Sequence, residues 1–244
     1  MKQERENFKL ETTSLWSFPE RGSWATHSGT YRGNWSPYVP RNLILRYSNE
    51  RDWVLDPFLG SGTTAIEAAL LNRNFVGIDI NPEAIDCSIH NVENIQSNCH
   101  KEIRLGNACD MSFLKDNSID LICMHPPYCN IIRYSDDIKD DLSLLTLDKF
   151  YERMRDVAKE SLRVLKKEKY LGLLIADMRE KGNIIPLGFS VMQIFLDMGF
   201  SLKEIVIKEQ HNCRSTKKWE NISKKNNFLL IKHEYLFILK KLEG

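Results

Sequence analysis

Two short stretches of the sequence bring together residue types that could do chemistry. The first is DPFLGSGTT, residues 56–64, which follows an apolar run and precedes a helix-like stretch. A strand that ends in a glycine turn and opens a helix leaves backbone N–H groups pointing into a crevice. Gly60 and Gly62 would let the backbone approach a ligand, because any side chain there would stand between them. The run predicts a ligand-binding turn, with a turn that binds nothing as the alternative.

A carboxylate follows at a position suited to a nucleoside. FVGIDINP, residues 75–82, predicts a second strand that ends in Asp79. An acidic side chain there, roughly 20 residues after the glycine turn, can accept hydrogen bonds from ribose hydroxyls. The third strand ends at Asn107 and Ala108, which could read the edge of an adenine ring, although Asn107 could instead cap a turn. The predicted ligand is a nucleoside derivative.

The second stretch is HPPY, residues 125–128, which ends a predicted fourth strand. Two prolines stop the strand and stiffen the loop, so the His125 side chain and the Pro126 carbonyl would be held in place. Tyr128 offers a flat face on which a heterocycle could stack. The two acceptors could take both hydrogens of an exocyclic amino group and free its lone pair to attack a positioned electrophile. Taken alone, a proline pair after a strand is most often only a turn.

The elements that would position these stretches alternate along the chain, as in a doubly wound parallel sheet. The predicted fold class is therefore α/β, a mostly parallel, Rossmann-like sheet with helices on both faces and a C-terminal antiparallel strand pair. The predicted strands are 53–56, 74–79, 102–106, 119–124, 170–176, 201–208 and 228–240, and the predicted helices are 41–47, 62–72, 82–97, 147–166 and 184–198.

The composition is that of an ordinary globular protein and predicts a single domain over residues 1–244. The formal net charge of +1 means that a nucleic-acid partner would have to be held by a local basic patch. The six cysteines form no C-x-x-C pair and no metal spacing with histidine, so reduced thiols and no metal site are predicted. The charged start and the lack of a long apolar run predict a cytoplasmic protein without a membrane segment.

Residues 16–40 interleave tryptophan and tyrosine with glycine and proline. Such a stretch cannot be a regular helix, yet it is too aromatic for a solvated tail. It predicts an ordered N-terminal segment, within residues 14–50, that caps the sheet edge or closes over the ligand with residues 36–40. The chain before it, as far as Thr13, is predicted to be loosely ordered.

The glycine turn, the acidic strand tip and the Pro-Pro-Tyr loop together resemble the S-adenosylmethionine-dependent amino-methyltransferases, most closely those that modify adenine N6 or cytosine N4 in DNA. The resemblance covers most of residues 14–200. It implies the class I methyltransferase fold, S-adenosyl-L-methionine as cofactor, and methyl transfer to a base flipped out of double-stranded DNA. It also raises a role in restriction-modification beside a cognate restriction endonuclease, and a chain this short could need a second copy, a homodimer, to cover a duplex.

The resemblance assigns roles to individual residues. Residues 36–45 look similar to the family's proline-containing segment, which closes on the methionine part of the cofactor. The implied cofactor-binding residues are Pro40, Asp56, Phe58, Gly60, Gly62, Thr63, Asp79, Ile80, Asn107 and Ala108. The implied catalytic residues are His125, Pro126, Pro127 and Tyr128.

Two departures from the family pattern matter. The family usually has Asp, Asn or Ser where this chain has His125, so the target base stays open between adenine and cytosine. A neutral imidazole can accept a hydrogen bond and an imidazolium cannot, so methyl transfer is predicted to fall as His125 becomes protonated. The second departure is size, because no separate target-recognition region fits between residues 64 and 125.

Recognition of DNA is therefore predicted in two loops, residues 129–145 and residues 210–227. The second loop gathers basic residues around a tryptophan, which could contact phosphates and stack on DNA, with a solvated hairpin loop as the alternative. The implied DNA-binding residues are Arg214, Lys217, Lys218, Trp219, Lys224 and Lys225.

Three rival functions remain. An RNA guanine-N2 methyltransferase shares the chemistry, but residues 1–50 are too short for the RNA-capturing domain that such proteins usually carry. A protein-glutamine N5 methyltransferase typically shows Asn-Pro-Pro-Tyr, from which His125 departs. A non-catalytic S-adenosylmethionine sensor or DNA-binding scaffold is opposed by the intact turn and strand tip, and is kept open by His125.

Overall fold

The computed structural model describes residues 8–31, 33–129, 138, 140–212 and 216–243, with the backbone alone for residues 216–218. The strands are β1 (Leu15–Trp16), β2 (Trp53–Asp56), β3 (Asn74–Asp79), β4 (Lys101–Leu105), β5 (Ile119–Met124), β6 (Leu165–Ile175), β7 (Met178–Glu180), β8 (Asn183–Ile185), β9 (Phe200–Glu209) and β10 (His233–Lys241). The helices are α1 (Tyr38–Tyr47), α2 (Thr63–Leu70), α3 (Pro82–Glu93), α4 (Leu147–Val164), α5 (Leu187–Asp197) and α6 (Thr216–Asn226), and a 3₁₀ turn covers Leu142–Leu144.

Within those ranges, one sheet of eight strands has the order β1-β9-β10-β6-β5-β2-β3-β4. Strands β2 to β6 pair in parallel, and β10 lies antiparallel between β6 and β9. This arrangement confirms the predicted fold class, including the C-terminal antiparallel pair. Because β2, β3, β4 and β5 run in the same direction, the loops that follow them meet at one edge of the sheet.

Each face of the sheet is covered by its own apolar core. On one face, Val54 and Leu121 pack with residues of α1, α2 and α3. On the other face, Leu55 and Ile122 pack with residues of α4 and α5. The alternation between adjacent residues of one strand is expected for a sheet that is buried on both sides. None of the described helices has the length and apolarity that crossing a membrane requires.

Local sequence explains where some elements begin. The Asn81 side chain accepts a hydrogen bond from the Glu83 N–H at 3.0 Å, and Pro82 occupies the first position of α3. Both features favour a helix start. The predicted helix 184–198 starts too early. Residues before a proline prefer an extended backbone, so the helix cannot include the residues that precede Pro186. Residues 183–185 accordingly form β8, and α5 begins only after the proline.

Several other predicted boundaries change. Strand β10 begins at His233 rather than at residue 228, β6 begins five residues earlier than predicted, and α1 begins three residues earlier. Residues 210–227, predicted as a loop, contain helix α6, so that part of the prediction is wrong. The segment before Thr13 is tied down from residue 8 onward: the Phe8 ring stacks on Tyr38 with ring centroids 6.1 Å apart, and the Glu11 N–H donates to Asn42 at 2.9 Å.

Candidate active site

The glycine turn between β2 and α2 is held by two carboxylates at neighbouring strand ends. Asp56 is 2% exposed and accepts hydrogen bonds from the Phe58 N–H at 2.9 Å and from the Thr64 hydroxyl at 2.5 Å. Asp79 accepts from the N–H groups of Gly60 at 2.8 Å and Asn81 at 2.9 Å. The two carboxylates therefore tie the turn to the ends of both β2 and β3.

The backbone N–H groups of the two glycines were predicted to point into the crevice, and this prediction is wrong. The Gly60 N–H donates to Asp79, and the Gly62 N–H donates to the Leu59 carbonyl at 3.0 Å. A phosphate-binding turn would need such donors for its ligand. This turn instead suits a ligand without phosphate groups.

Both glycines are required by their conformation, with φ of +53° at Gly60 and +84° at Gly62. A Cβ at Gly62 would lie 2.6 Å from the Ser88 hydroxyl oxygen of α3. A Cβ at Gly60 would lie 3.3 Å from the Tyr31 ring. Gly62 thus permits the packing of α3 against the turn rather than the approach of a ligand, which corrects the prediction for that residue.

A cavity opens above the turn, at the carboxyl ends of β2 to β5. It encloses about 820 Å³, including space open to solvent at its mouth, which is ample for a small-molecule ligand. Most of the predicted cofactor-binding residues line it: Phe58, Gly60, Thr63, Asp79, Ile80, Asn107 and Ala108. Asn107 also caps its own turn, since its side-chain oxygen accepts from the Cys109 N–H at 2.9 Å.

Pro40, Asp56 and Gly62 are not among the described residues that line this cavity. Asp56 and Gly62 fix the conformation of the turn without lining the cavity. Pro40 is buried in α1, because the helix begins at Tyr38 and takes the predicted closing segment, residues 36–40, away from the ligand. Residues 31 and 33–35 line the cavity in its place.

The segment that closes the cavity is bonded to the glycine turn. The Asn34 side-chain amide donates to the Ser61 hydroxyl at 2.9 Å. One terminal nitrogen of Arg21 donates to the Asn34 side-chain oxygen at 2.6 Å and to the Trp35 carbonyl at 2.8 Å. The aromatic N-terminal segment is therefore an ordered loop, and its residues 31 and 33–35, rather than the predicted residues 36–40, line the cavity.

A buried carboxylate of α2 anchors the same segment. Glu67 is fully buried, and one of its oxygens accepts from the Trp24 indole N–H at 2.7 Å and lies 2.7 Å from the His27 Nε2 atom. Its other oxygen accepts from the Arg41 guanidinium at 3.0 Å. One side chain of the core thus holds three side chains of the segment and the helix that follows it. Sequence reasoning did not find this cluster.

Among the described residues, three carboxylates line the cavity. Asp79 is joined there by Asp140 and Asp141, which lie next to Leu142 in the segment predicted to contact DNA. Burial raises the pKa of Asp79, while the hydrogen bonds from Asn81 and Gly60 oppose that shift. No lysine or arginine is among the described residues that line the cavity, so its carboxylates favour a positively charged ligand, although Asp140 also pairs with Arg153 at 3.4 Å. Residues 130–137 and 139 of the predicted DNA-contacting loop lie outside the described residues.

The loop after β5 places His125 against an aromatic ring. His125 stacks on Trp35 with ring centroids 5.8 Å apart and planes 23° apart. Burial lowers the pKa of His125, while Glu234 opposes this shift and Lys208 adds to it. The imidazole is therefore neutral at neutral pH and can accept a hydrogen bond.

A polar network supports the loop from behind. The Tyr128 hydroxyl donates to Glu234 at 3.2 Å and accepts from the Ala176 N–H at 3.1 Å. Glu234 also accepts from the Lys208 ammonium at 2.7 Å. The Tyr128 hydroxyl is thus already engaged, and only its ring remains for stacking. Glu234 and Lys208 come from the last two strands and were not among the predicted site residues.

A second cavity lies beyond His125 and encloses about 1110 Å³, including space open to solvent. His125, Trp35, Asn34 and Gly33 line both cavities. In the loop after β5, Pro127 lines the first cavity, whereas Pro126 and Tyr128 line the second. The predicted catalytic residues therefore stand between two spaces, each large enough for a small ligand.

Comparison with known proteins identifies the domain. Residues 48–228 match the family model described as a methyltransferase domain. The chain belongs to this methyltransferase family. Residues 1–90 also match the model described as a DNA methylase, N6_N4_Mtase, which confirms the resemblance to the DNA amino-methyltransferases.

Curated relatives of the methyltransferase match it over part of their length. The Type II methyltransferase M2.MboI of Moraxella bovis is 34% identical over 82 residues, which are 34% of this chain and 30% of the relative. The Type II methyltransferase M.BglI of Bacillus subtilis is 36% identical over 98 residues, 38% of this chain and 28% of the relative. Each match thus spans less than a third of the relative.

A solved structure with the same fold comes from Methanosarcina mazei and is described as a SAM-dependent methyltransferase. Its TM-score is 0.58 at 20% sequence identity, and the match covers 82% of this chain and 97% of the other. It confirms that the methyltransferase has the class I fold.

The predicted DNA-binding residues of the methyltransferase are only partly described. Trp219, Lys224 and Lys225 lie on α6, and 49% of the Trp219 surface is exposed. About half of this indole is therefore open to contact with another molecule. Arg214 and the side chains of Lys217 and Lys218 lie outside the described residues.

The buried Asp56 of the methyltransferase gives a testable pH dependence. Burial raises its pKa from 3.8 to about 7, against the hydrogen bonds from Thr64 and Phe58. Between those two values the folded state keeps the proton and the unfolded chain releases it, so raising the pH favours unfolding. Relative to Asp56→Asn, whose amide can serve both partners, the wild type should lose up to about 1.4 kcal/mol of unfolding free energy per pH unit over that window.

Urea unfolding of both proteins at several pH values between 4 and 8 measures this difference. The exposed Asp86→Asn variant is the matched control and should follow the wild type. A constant difference between wild type and Asp56→Asn across the window would contradict a raised pKa at Asp56.

Proposed function

We propose that this methyltransferase transfers a methyl group from S-adenosylmethionine to the exocyclic amino group of a base in double-stranded DNA, at adenine N6 or cytosine N4. The observation that carries the proposal is that His125 and Trp35 line both an acid-lined cavity and a second cavity beside it, so that ligands in the two cavities could meet at these residues. The first suits the cofactor and the second suits a base. The DNA methylase model and the relatives named Type II methyltransferases support DNA as the substrate.

S-adenosylmethionine, when bound, supplies a methyl group carried on a positively charged sulfur. The anionic lining of Asp79, Asp140 and Asp141 favours that charge, whereas it would repel the phosphates of a dinucleotide. The glycine N–H groups that phosphates would need are already bonded. The Asp79 oxygens keep lone pairs with which to accept the ribose hydroxyls, and Asn107 and Ala108 would lie beside the adenine ring.

The loop after β5 would prepare the amine for attack. The neutral imidazole of His125 and the carbonyl of Pro126 would accept the two amino hydrogens, which draws the nitrogen lone pair out of the ring. The Tyr128 ring would hold the base by stacking. Trp35 stacks on one face of His125. After transfer the amino nitrogen gives up one proton, which His125 can accept.

The proposal extends to how DNA is held. A base inside a duplex must be flipped out to enter the second cavity, and the protein must occupy the gap that it leaves. Residues 210–227 would contact phosphates and stack through Trp219, and residues 129–145 would contact DNA near the flipped base. In a restriction-modification role the protein would work in the cytoplasm beside a cognate restriction endonuclease, and a second copy of the chain would help to cover the duplex.

Incubation with cofactor carrying a tritiated methyl group, together with duplex DNA, tRNA or protein, tests the substrate class. Label in DNA alone is expected, and mass spectrometry of the digested DNA would then identify N6-methyladenine or N4-methylcytosine. Label in tRNA alone or in protein alone would overturn DNA as the substrate. Cofactor binding by calorimetry with no label in any substrate would point to a sensor instead.

The basic segment should set the salt dependence of DNA binding. Each phosphate contact contributes about 0.9 to the slope of log K against log salt, so removing four contacts should flatten the slope by up to about 4. The control removes the same charge from exposed lysines outside the segment. The test lysines are Lys217, Lys218, Lys224 and Lys225, the control lysines are Lys115, Lys159, Lys167 and Lys203, and all are changed to Gln.

Fluorescence anisotropy of a labelled duplex between 50 and 300 mM salt measures the slope. The control variant should keep the wild-type slope, because its lysines are exposed but lie outside the segment. A test variant with the wild-type slope would show that the segment is surface without DNA contacts.

A further inference from the structure

A lysine and a glutamate line the second cavity beside the loop that follows β5, on strands that are distant from this loop in sequence. Lys208 of β9 and Glu234 of β10 are direct cross-strand partners. Their side chains are only 14% and 8% exposed, and the Lys208 ammonium donates to one Glu234 oxygen at 2.7 Å. Such a pair is costly to bury, so its other contacts decide what it does.

The other Glu234 oxygen faces the catalytic loop. It accepts from the Tyr128 hydroxyl at 3.2 Å and lies 3.7 Å from the His125 Nε2 atom. The Tyr128 oxygen itself lies 3.3 Å from the same Nε2 atom. Two oxygens therefore face one nitrogen of the imidazole ring, and both belong to a network that includes the Lys208 charge.

Counting protons fixes the role of each atom. An ionised carboxylate only accepts, and the Tyr128 hydroxyl donates its single hydrogen to Glu234 at 3.2 Å. The Tyr128 oxygen then acts as an acceptor, toward the Ala176 N–H at 3.1 Å and toward His125. Nε2 of His125 faces two acceptors and must carry a hydrogen. In a neutral imidazole the lone pair is then on Nδ1.

Nδ1 is the nitrogen that the site leaves available. Within the described part of the chain, His125 makes its hydrogen-bonding contacts through Nε2. Some described side-chain nitrogens and oxygens are enclosed by protein without a hydrogen-bond partner, and Nδ1 is not one of them. Nδ1 is therefore accessible from the site. His125 borders both cavities, where an amino group would meet this atom.

We propose that Glu234, paired with Lys208, is a positioning residue that fixes His125 in the Nε2–H tautomer and thereby makes Nδ1 the acceptor for one amino hydrogen of the target base. The inference rests on the proposed function for the identity of the amine. The tautomer itself is a property of the free protein and can be tested without any substrate.

The charges around the ring agree with this role. Although burial opposes its ionisation, Glu234 has a pKa below its ordinary value because the Lys208 charge and the hydrogen bonds from Lys208 and Tyr128 favour the carboxylate. Burial keeps His125 neutral. Two further groups, Arg21 and His211, line the second cavity with His125.

Nitrogen NMR of the protein labelled with ¹⁵N-histidine tests the tautomer directly, with His125→Asn used to assign the resonance. At neutral pH the wild type should show a protonated Nε2 and an unprotonated Nδ1. In Glu234→Gln the side chain is neutral and no longer favours a hydrogen on Nε2. The His125 ring should then move toward the mixture of tautomers that a free imidazole shows. Glu204→Gln, an exposed change on β9, is the control and should leave the tautomer unchanged.

Single-turnover methyl transfer supplies the second readout. Glu234→Gln should lower the rate by about 10- to 100-fold and leave the cofactor dissociation constant unchanged. Because Glu234 raises the pKa of His125, its loss should also move the acid limb of the pH profile to lower pH. A protonated Nδ1 in the wild type would overturn the inference and leave the proposed function standing, whereas a correct tautomer without DNA methylation would overturn only the proposed function.

Discussion

The variant His125→Phe is expected to lose at least about 100-fold in the rate of methyl transfer, with cofactor affinity close to that of the wild type. Phenylalanine keeps a flat ring against Trp35 and so preserves the packing of the shared wall. It removes the nitrogen that would accept an amino hydrogen, and with it the interaction that strengthens as the amine attacks. Single-turnover kinetics with a saturating duplex measure the rate, and calorimetry measures cofactor binding.

The matched control is His125→Asn, whose side-chain oxygen restores an acceptor. It should recover much of the rate, and it should not show the decline at acid pH that protonation of the imidazole causes in the wild type. Because burial lowers the pKa of His125, that decline should lie below the ordinary histidine range. Equal rates for His125→Phe and the wild type would remove His125 from the mechanism.

Replacing Glu67 with alanine should cost about 3–5 kcal/mol of the free energy of unfolding, because it leaves the buried Arg41 charge without its partner. This is a large fraction of the stability of a typical domain. The same change removes the acceptor of Trp24 and the neighbour of His27, and so frees the segment that places Asn34 and Trp35 on the cavity. Cofactor affinity should fall along with stability.

Urea unfolding and cofactor titration of Glu67→Ala measure the two effects. Glu67→Gln is the conservative variant; it keeps one oxygen acceptor and should fall between alanine and the wild type. Glu83→Ala, an exposed change on α3, controls for the loss of a glutamate from a helix. Wild-type stability in Glu67→Ala would show that the buried cluster is dispensable for folding. Normal cofactor affinity in a destabilised variant would show that the cluster does not influence the cofactor cavity.

The parts of the site that lie within one strand and its following loop could be predicted from sequence. The glycine turn, Asp79 and the His125 loop each belong to a short local pattern, and the parallel sheet brings their strand ends to one edge. Local sequence also predicted the start of α3 at Pro82, because a proline is favoured at the first position of a helix. What each polar atom bonds to was less predictable, as the internal bonds of Gly60 and Gly62 show.

The parts supplied by distant segments could not be predicted in this way. Asp140 and Asp141 reach the cofactor cavity through tertiary packing, which leaves no periodic signal. Glu234 does leave a signal in the sequence, because it shares one strand face with the apolar Leu236 and Ile238. A carboxylate on a buried apolar face is unfavourable unless it has a polar partner. Lys208 occupies the matching place opposite it. Only the register of β9 with β10 shows that the two meet.

The helix α6 and its basic neighbours are inserted between the two strands that carry this pair. Moving either strand by one residue would turn its member of the pair to the opposite side of the sheet, so the ladder tolerates no slippage there. The insertion itself can lengthen, shorten or change composition without disturbing that ladder. Evolution could therefore diversify this surface, which is proposed to meet DNA, while the chemistry stays constant, and a graft of the insertion from a relative would test whether it sets target preference.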